Sequence, residues 1–315
     1  MARRLEDKLT ALRLLADTAS VPDLDARLKV VLRGRSGPLV DLAARIIGDR
    51  GLGAHRAGLL RAWSTLSEDG ARRDPGCTGK LSCLTALDRL EHMDVDLFIE
   101  ATRMVQLEKA WGPPVDTAVP VRARAALALS RFSEPEAAVA VGSLLCDPAE
   151  SVRRAAVEAI AVREDPRGAG MLAVRWQLDD PEAPVAQLEC GVALARLSPQ
   201  VGVSLVAAAL QSPREDLREL AALALAESRS PAGLEALWCA LQTTVTAEGR
   251  RLLISALGAH RSEAAQHHLL DLLVDGDDRD AEQALSVLGA QVLSEKMRRL
   301  VTLEANERGL RFPEG

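Results

Sequence analysis

The sequence predicts an all-α protein, an α-solenoid of about eight stacked helical hairpins. Three observations carry that prediction. Aromatic residues make up 2% of the 315 positions, with three Phe, four Trp and no Tyr, whereas sheets draw on aromatic and β-branched side chains to fill pleated faces. Alanine, leucine and arginine dominate instead, and these are strong helix formers. The chain also repeats itself with a period just above thirty residues, as expected of helical hairpins that bury their apolar stripes only by stacking on neighbours. At 48% hydrophobic and 27% charged residues, there is enough apolar surface to offset the entropy of ordering the backbone.

Residues 1–117 read as a less regular helical region. Apolar residues at helical spacing place helices at Leu5 to Ala16, Leu39 to Ile47, Ala54 to Leu66, Lys80 to Leu90 and Val95 to Lys109. Two stretches interrupt them as long loops. One runs from Ser67 to Gly79; the other, from Trp111 to Pro120, carries Gly112, Pro113 and Pro114.

Residues 118–309 hold the regular repeats. A small–large pair recurs at Ala128-Leu129, Ala159-Ile160, Ala193-Leu194, Ala224-Leu225, Ala256-Leu257 and Val287-Leu288, at separations of 31, 34, 31, 32 and 31. Seven positions earlier comes an arginine in the pairs Val121-Arg122, Val152-Arg153, Leu217-Arg218 and Gly249-Arg250; Ala186-Gln187 lacks it. Asp147-Pro148, Asp180-Pro181 and Ser212-Pro213 read as one set of helix starts, with a capping oxygen and a proline suited to a first turn. Ser133-Glu134-Pro135, Asp165-Pro166, Ser198-Pro199 and Ser230-Pro231 mark a second set, so each repeat has two helices. Residues 310–315 are left as a tail, and the whole is expected to be one continuous right-handed solenoid. Alanine-lined layers leave little room for rings, which accounts for the scarce aromatics.

The run from Asp147-Pro148-Ala149-Glu150-Ser151-Val152-Arg153 through Ala159-Ile160 resembles a HEAT repeat, and more narrowly the short bacterial variety also found in phycobilin lyases. The resemblance is good over residues 118–309 and weaker over 1–117. It implies a scaffold, since HEAT proteins serve mainly as such and only occasionally as enzymes. It also implies an alternative: a lyase-like or chaperone role toward a tetrapyrrole-type prosthetic group. Some HEAT enzymes hold a di-iron centre through His-Glu dipeptides, and this chain contains none.

Residue chemistry narrows the function further. No apolar run is long enough to span a membrane, and the charged N-terminus is not a secretory signal. Five cysteines, Cys77, Cys83, Cys146, Cys190 and Cys239, read as reduced, buried thiols of a cytoplasmic protein. His267-His268 are adjacent and project in two directions, unlike metal ligands at i and i+4. No phosphate loop, dinucleotide fingerprint, nucleophile elbow or paired catalytic carboxylates stand in a suitable context. Neither a metal nor a cofactor is expected, and the chain reads as a non-enzyme. The formal net charge is −6, yet residues 1–61 carry 12 Lys/Arg against 7 Asp/Glu. The acidic remainder argues against nucleic-acid binding.

Long loops with polar and aromatic residues are the natural place for function. The two loops and the helices beside them offer Arg72, Arg73, Cys77, Lys80, Gln106, Glu108, Trp111, Asp116, Thr117 and Arg122 as one composite recognition site, with Asp74 and Arg124 in the same stretches. Cys77 begins a helix near Lys80, where its thiol pKa is open to lowering. The competing reading is structural: Trp111 plugs an irregularity, and Asp116 or Thr117 caps the next helix. The recurring arginines read as inter-repeat ion pairs or loop hydrogen bonds. The function expected is recognition of a protein or peptide along the concave face, partner unknown.

Overall fold

The computed structural model describes residues 2–18, 21–178 and 180–312; residues 313–315 of the expected tail lie outside them. About three-quarters of the chain is helical, and it forms two compact units, Met1–Arg163 and Glu164–Gly315. The first contains α1 (Ala2–Thr18), α2 (Val21–Leu32), α3 (Gly37–Asp49), α4 (Arg56–Ser67), the short α5 (Gly70–Arg73), α6 (Thr78–Arg89), α7 (Val95–Thr102), strands β1 (Leu107–Glu108) and β2 (Val115–Asp116), α8 (Val119–Leu129), α9 (Pro135–Leu144) and α10 (Glu150–Val162). The second contains α11 (Gly168–Gln177), α12 (Pro184–Leu197), α13 (Val201–Ala208), α14 (Glu215–Ser228), α15 (Pro231–Thr243), α16 (Ala247–His260), α17 (Glu263–Asp275), α18 (Asp278–Gly289) and α19 (Glu295–Glu307).

Within each unit, alternate helices stack directly. α3, α6, α8 and α10 pack in sequence in the first unit, and α12, α14, α16 and α18 in the second. This is α-solenoid packing. The small–large pairs form its seam: Ala128, Leu129, Ala193, Leu194, Ala224, Leu225, Ala256 and Leu257 are all buried. Small side chains let the backbones close up. A Cβ on Gly191 would stand 2.7 Å from the Trp176 ring and 2.9 Å from Ala224 Cβ, so only glycine fits that layer. Trp176 and Trp63 are core residues, while Trp238 is half-buried and stacks on His268 with ring centroids 4.3 Å apart.

The repeat arginines act as expected, each tying its helix to the loop before it. Arg153 donates to the Asp147 and Pro148 carbonyls at 2.8 and 3.0 Å. Arg218 donates to those of Ser212 and Pro213 at 3.0 and 3.2 Å, and Arg250 to those of Leu241 and Thr244 at 2.8 and 2.9 Å. Arg250 also pairs with Asp280 one repeat on. Where the arginine is missing, buried Gln187 takes its role, its Nε2 donating to Trp176 O at 2.8 Å.

Basic residues near helix C-termini reach neighbouring repeats. Arg131 donates to His92 O at 2.7 Å, Arg163 to Phe132 O, Arg196 to Glu227 O at 2.8 Å and Arg308 to Gly276 O at 2.8 Å. These bonds satisfy carbonyls that a helix end leaves unpaired. Arg131 also lies over Phe98 and Phe132, 5.1 and 4.9 Å from their centroids, a cation–π contact on both rings.

Four local expectations need correction. The helix expected from Val95 to Lys109 ends at Thr102, because the chain turns there into β1. The Ser67 to Gly79 loop contains α5 and a single 3₁₀ turn at Pro75–Cys77. Asp147 and Ser212 stand ahead of their helices, which start at Glu150 and Glu215; their side chains cap turns, Asp147 Oδ1 accepting from Ala149 N at 2.9 Å. Finally, Cys146 and Cys239 are exposed, whereas Cys77, Cys83 and Cys190 are buried. Burial pushes the Cys190 thiol up to about 12. By contrast, Ser230 does cap α15, accepting from Gly233 N, with Pro231 in the first turn.

Candidate functional site

The extra length before α8 is a β-ribbon. Leu107 pairs with Asp116 and Glu108 with Val115, antiparallel. Between them run Lys109 to Pro114, where Gly112 and two prolines suit a turn that cannot continue a ladder. Trp111 sits in this turn and is fully exposed. It plugs nothing, so that part of the structural reading fails. Val105, Leu107 and Val115 are exposed as well.

The base of the ribbon is held by a buried polar cluster with Gln106 at its centre. Its Oε1 accepts from Lys80 Nζ at 2.7 Å. Its Nε2 donates to Asp74 O at 3.0 Å and to Glu108 Oε1 at 2.6 Å. Glu108 Oε1 also accepts from Gly76 N and Thr117 Oγ1, both at 2.7 Å. Lys80 is 1% exposed and Asp74 is fully buried. Their ammonium and carboxylate are 3.3 Å apart, and Asp74 further accepts from Gly79 N and Lys80 N at 2.8 and 2.9 Å. α6 therefore begins on the Asp74 carboxylate, where a helix start favours negative charge. α5 presses close to this cluster: a Cβ on Gly70 would fall 3.0 Å from Lys80 Nζ.

A second cluster continues from the first. Asp116 Oδ1 accepts from Gln106 N and Ala118 N, each at 3.0 Å. Its Oδ2 accepts from Arg122 Nη1 at 2.5 Å. Arg122, 4% exposed, also donates to Met104 O at 2.9 Å and forks onto Asp147 at 2.8 and 3.1 Å. Asp116 thus does cap the chain entering α8, as the structural reading expected, and pins the ribbon to α8 as well.

Of the ten residues singled out in the sequence, Cys77, Lys80, Gln106, Glu108, Thr117, Asp116 and Arg122 come together. Arg72 pairs with Asp69 at 2.5 Å, and Arg73 with Glu68 and Thr65 O, each at 2.6 Å; both stand apart. Trp111 is carried out into solvent. Asp74, which the sequence offers in the first loop, joins them as the partner of Lys80, whereas Asp147 was not weighed as a partner of this site. Asp147 was visible only as a capping residue.

Enclosure pushes the Glu108 carboxyl up, but the hydrogen bonds from Gln106, Gly76 and Thr117 and the Lys80 charge outweigh it. Its pKa is held below the ordinary 4.5. In Asp116, desolvation is likewise outweighed, by Gln106, Arg122 and Ala118, and its pKa falls below 3.8. Folding therefore lowers both values, so their stabilisation is present above the ordinary pKa values and lost as pH falls through the folded ones. Urea midpoints should drop between pH 6 and pH 3, and Glu108→Gln should flatten that slope. A slope unchanged in Glu108→Gln would show that Glu108 contributes nothing.

Cys77 contradicts the expectation of a lowered thiol pKa. It is 1% exposed and 3.6 Å from Thr117 Oγ1. Desolvation dominates and raises its pKa; Thr117 and Lys80 lower it by less. Iodoacetamide should therefore modify Cys146 and Cys239 first. Labelling of Cys77 in the folded protein as fast as a free thiol would contradict this.

The chemistry gathered here is that of a tether: a thiol, an ammonium and carboxylates enclosed and hydrogen-bonded to one another. Among the described residues, no three His, Cys, Asp or Glu side chains cluster as metal ligands. No described helix is long and apolar enough to cross a membrane.

Stacked helical hairpins with a polar residue at a fixed register, bonded to the preceding loop, make up both units. The architecture is HEAT-like. The chain matches no family model and no curated protein. Among solved structures it is similar to the CpcE–CpcF complex of phycocyanin lyase from Nostoc sp. PCC7120, at 19% identity and a TM-score of 0.36 over 92% of this chain and 95% of that one. It is also similar to an engineered protein, at 15% identity and a TM-score of 0.40 over 96% and 89%. A third is human deoxyhypusine hydroxylase, at 17% identity and a TM-score of 0.25 over 85% and 98%.

Proposed function

We propose that the chain is a non-catalytic recognition module for a protein or peptide, and that the ribbon bearing Trp111 is its principal contact. The observation that carries this reading is the contrast between the ribbon's two ends. Its base is fixed by buried, charge-assisted hydrogen bonds, while its tip offers an unshielded tryptophan; Val105, Leu107 and Val115, nearer the base, are exposed as well. Rigid, exposed aromatic anchors are the usual energetic centres of protein interfaces. Holding the anchor in place in the free protein also lowers the ordering cost of binding. Lys80, Gln106, Glu108, Asp116, Thr117 and Arg122 are positioning residues in this scheme. The repeat surface adds to it: two clefts of about 350 Å³ flank α16, one lined by Arg218 and Glu248, the other by Arg251 and Asp277.

Trp111→Ala should leave stability within about 0.5 kcal/mol of wild type, because the ring touches little of the fold. In affinity capture from the native source, followed by titration of the captured partner, it should weaken binding by roughly thirtyfold or more. A partner held equally by wild type and Trp111→Ala would sink the reading. The tetrapyrrole alternative separates by absorbance: a saturable shift of a bilin on adding the protein would favour it.

A further inference from the structure

A small cavity lies between the end of α2 and the start of α4, in the segment where positive charge collects. Its volume is about 120 Å³, below the roughly 300 Å³ from which pockets for whole drug-sized ligands begin. Gly58 lets the two helices close up here, since a Cβ would stand 2.8 Å from Leu32 Cδ1. That approach brings Lys29 and Arg33 from one side and Arg61 from the other onto one cavity.

The acid that pairs with two of the lining residues is already committed. Asp25 Oδ2 accepts from Lys29 at 2.6 Å, and its Oδ1 lies 2.8 Å from Nε2 of buried His55. Among the described residues, Arg33 and Arg61 have neither a carboxylate nor a carbonyl partner, although one follows the end of α2, the other lies on α4, and both line the same space. Two arginines lining one cavity bring like charges together, which repel each other. A tetrahedral oxyanion reverses that: each fork presents paired N–H donors matched to its oxygens, and the anion's charge offsets both.

We propose that this cleft binds a phosphate group, free or carried on a phosphorylated side chain, held between Arg33 and Arg61 with Lys29 at its edge. The cavity admits the oxyanion alone, so whatever carries it would remain outside. A phosphodiester, with a single charge and two ester substituents, would fit poorly.

The test is a ³¹P NMR titration of the full chain with inorganic phosphate, set against chloride at equal ionic strength. Fluorescence titrations with a phosphoserine peptide, its unphosphorylated twin and a short DNA duplex run alongside. Saturable phosphate binding is expected, weakened roughly tenfold by Arg33→Gln and by Arg61→Gln, in line with loss of a charged hydrogen-bond pair. Both arginines are exposed, so these variants should fold. Arg298→Gln, an exposed arginine on α19, should bind as wild type does. Preference for the phosphopeptide over its twin, with competition by phosphate, would assign the group to a protein side chain. Binding of phosphate alone would assign it to the free anion. The proposal is overturned if wild type shows no saturable binding of phosphate or phosphopeptide, if Arg33→Gln/Arg61→Gln binds as wild type does, or if only the duplex binds.

Discussion

Lys80→Met should cost about 3–5 kcal/mol, the usual result of removing one partner from a buried ion pair. The reason is what remains. Asp74 would keep its two backbone donors but lose its only side-chain cation, and Gln106 Oε1 would lose its donor in a fully enclosed site. Much of the cost is the uncompensated Asp74 charge, so Lys80→Met/Asp74→Asn should recover part of it. Loss of the tether should also show locally. Trypsin should cut at Lys109 faster in Lys80→Met than in wild type under native conditions. A variant as stable as wild type, with unchanged cleavage at Lys109, would show that the cluster does not hold the ribbon.

Arg122→Leu should be comparably severe, at about 3–5 kcal/mol. Arg122 serves two carboxylates at once, forking onto Asp147 and reaching Asp116 and Met104 O. Lysine is a poor substitute, because a single ammonium cannot reproduce a planar fork. The variant should carry a distinctive pH signature. In wild type, burial works against the guanidinium charge but Asp147 and Asp116 more than offset it, and the Asp116 pKa is held low. Wild type therefore loses stability as acid protonates Asp116. Without Arg122, Asp116 loses one of the interactions that hold its pKa down, so the penalty of the variant should shrink as pH falls through the carboxylate range. A penalty independent of pH would mean that lost packing, not charge, accounts for it.

How much of this was legible in the sequence depends on the range of the interactions. The repeats were legible because six small–large pairs and the arginines at fixed register carry the packing and the loop bonds within single repeats. The ribbon was not. Leu107 and Glu108 continue the apolar rhythm of α7, and a two-residue strand is stabilised by Asp116 and Thr117, which arrive about ten residues later. Lys80 stood out as a loop-edge cation, yet nothing local says that a lysine in a first helical turn is enclosed. Its burial follows from Asp74 and Gln106, the latter 26 residues away. Cys77 was misread for the same reason: a helix start and a nearby lysine argue for a thiolate only where water has access. The grouping of the loops proved informative because the residues of both meet at Gln106, but the sequence could not show which would be enclosed and which, like Trp111, would be presented.

The bonds between helix ends and neighbouring repeats have a consequence for how this protein comes apart. A carbonyl such as Phe132 O or Gly276 O is satisfied only while the repeat that supplies Arg163 or Arg308 stays folded. Melting one such repeat therefore uncaps the one before it, on top of the apolar surface it exposes. That adds an interfacial energy to every boundary between folded and unfolded segments, as in a one-dimensional chain of coupled spins. Partly melted states are disfavoured in proportion to the number of such boundaries. Repeats too small to hold an independent core thereby melt in company with their neighbours.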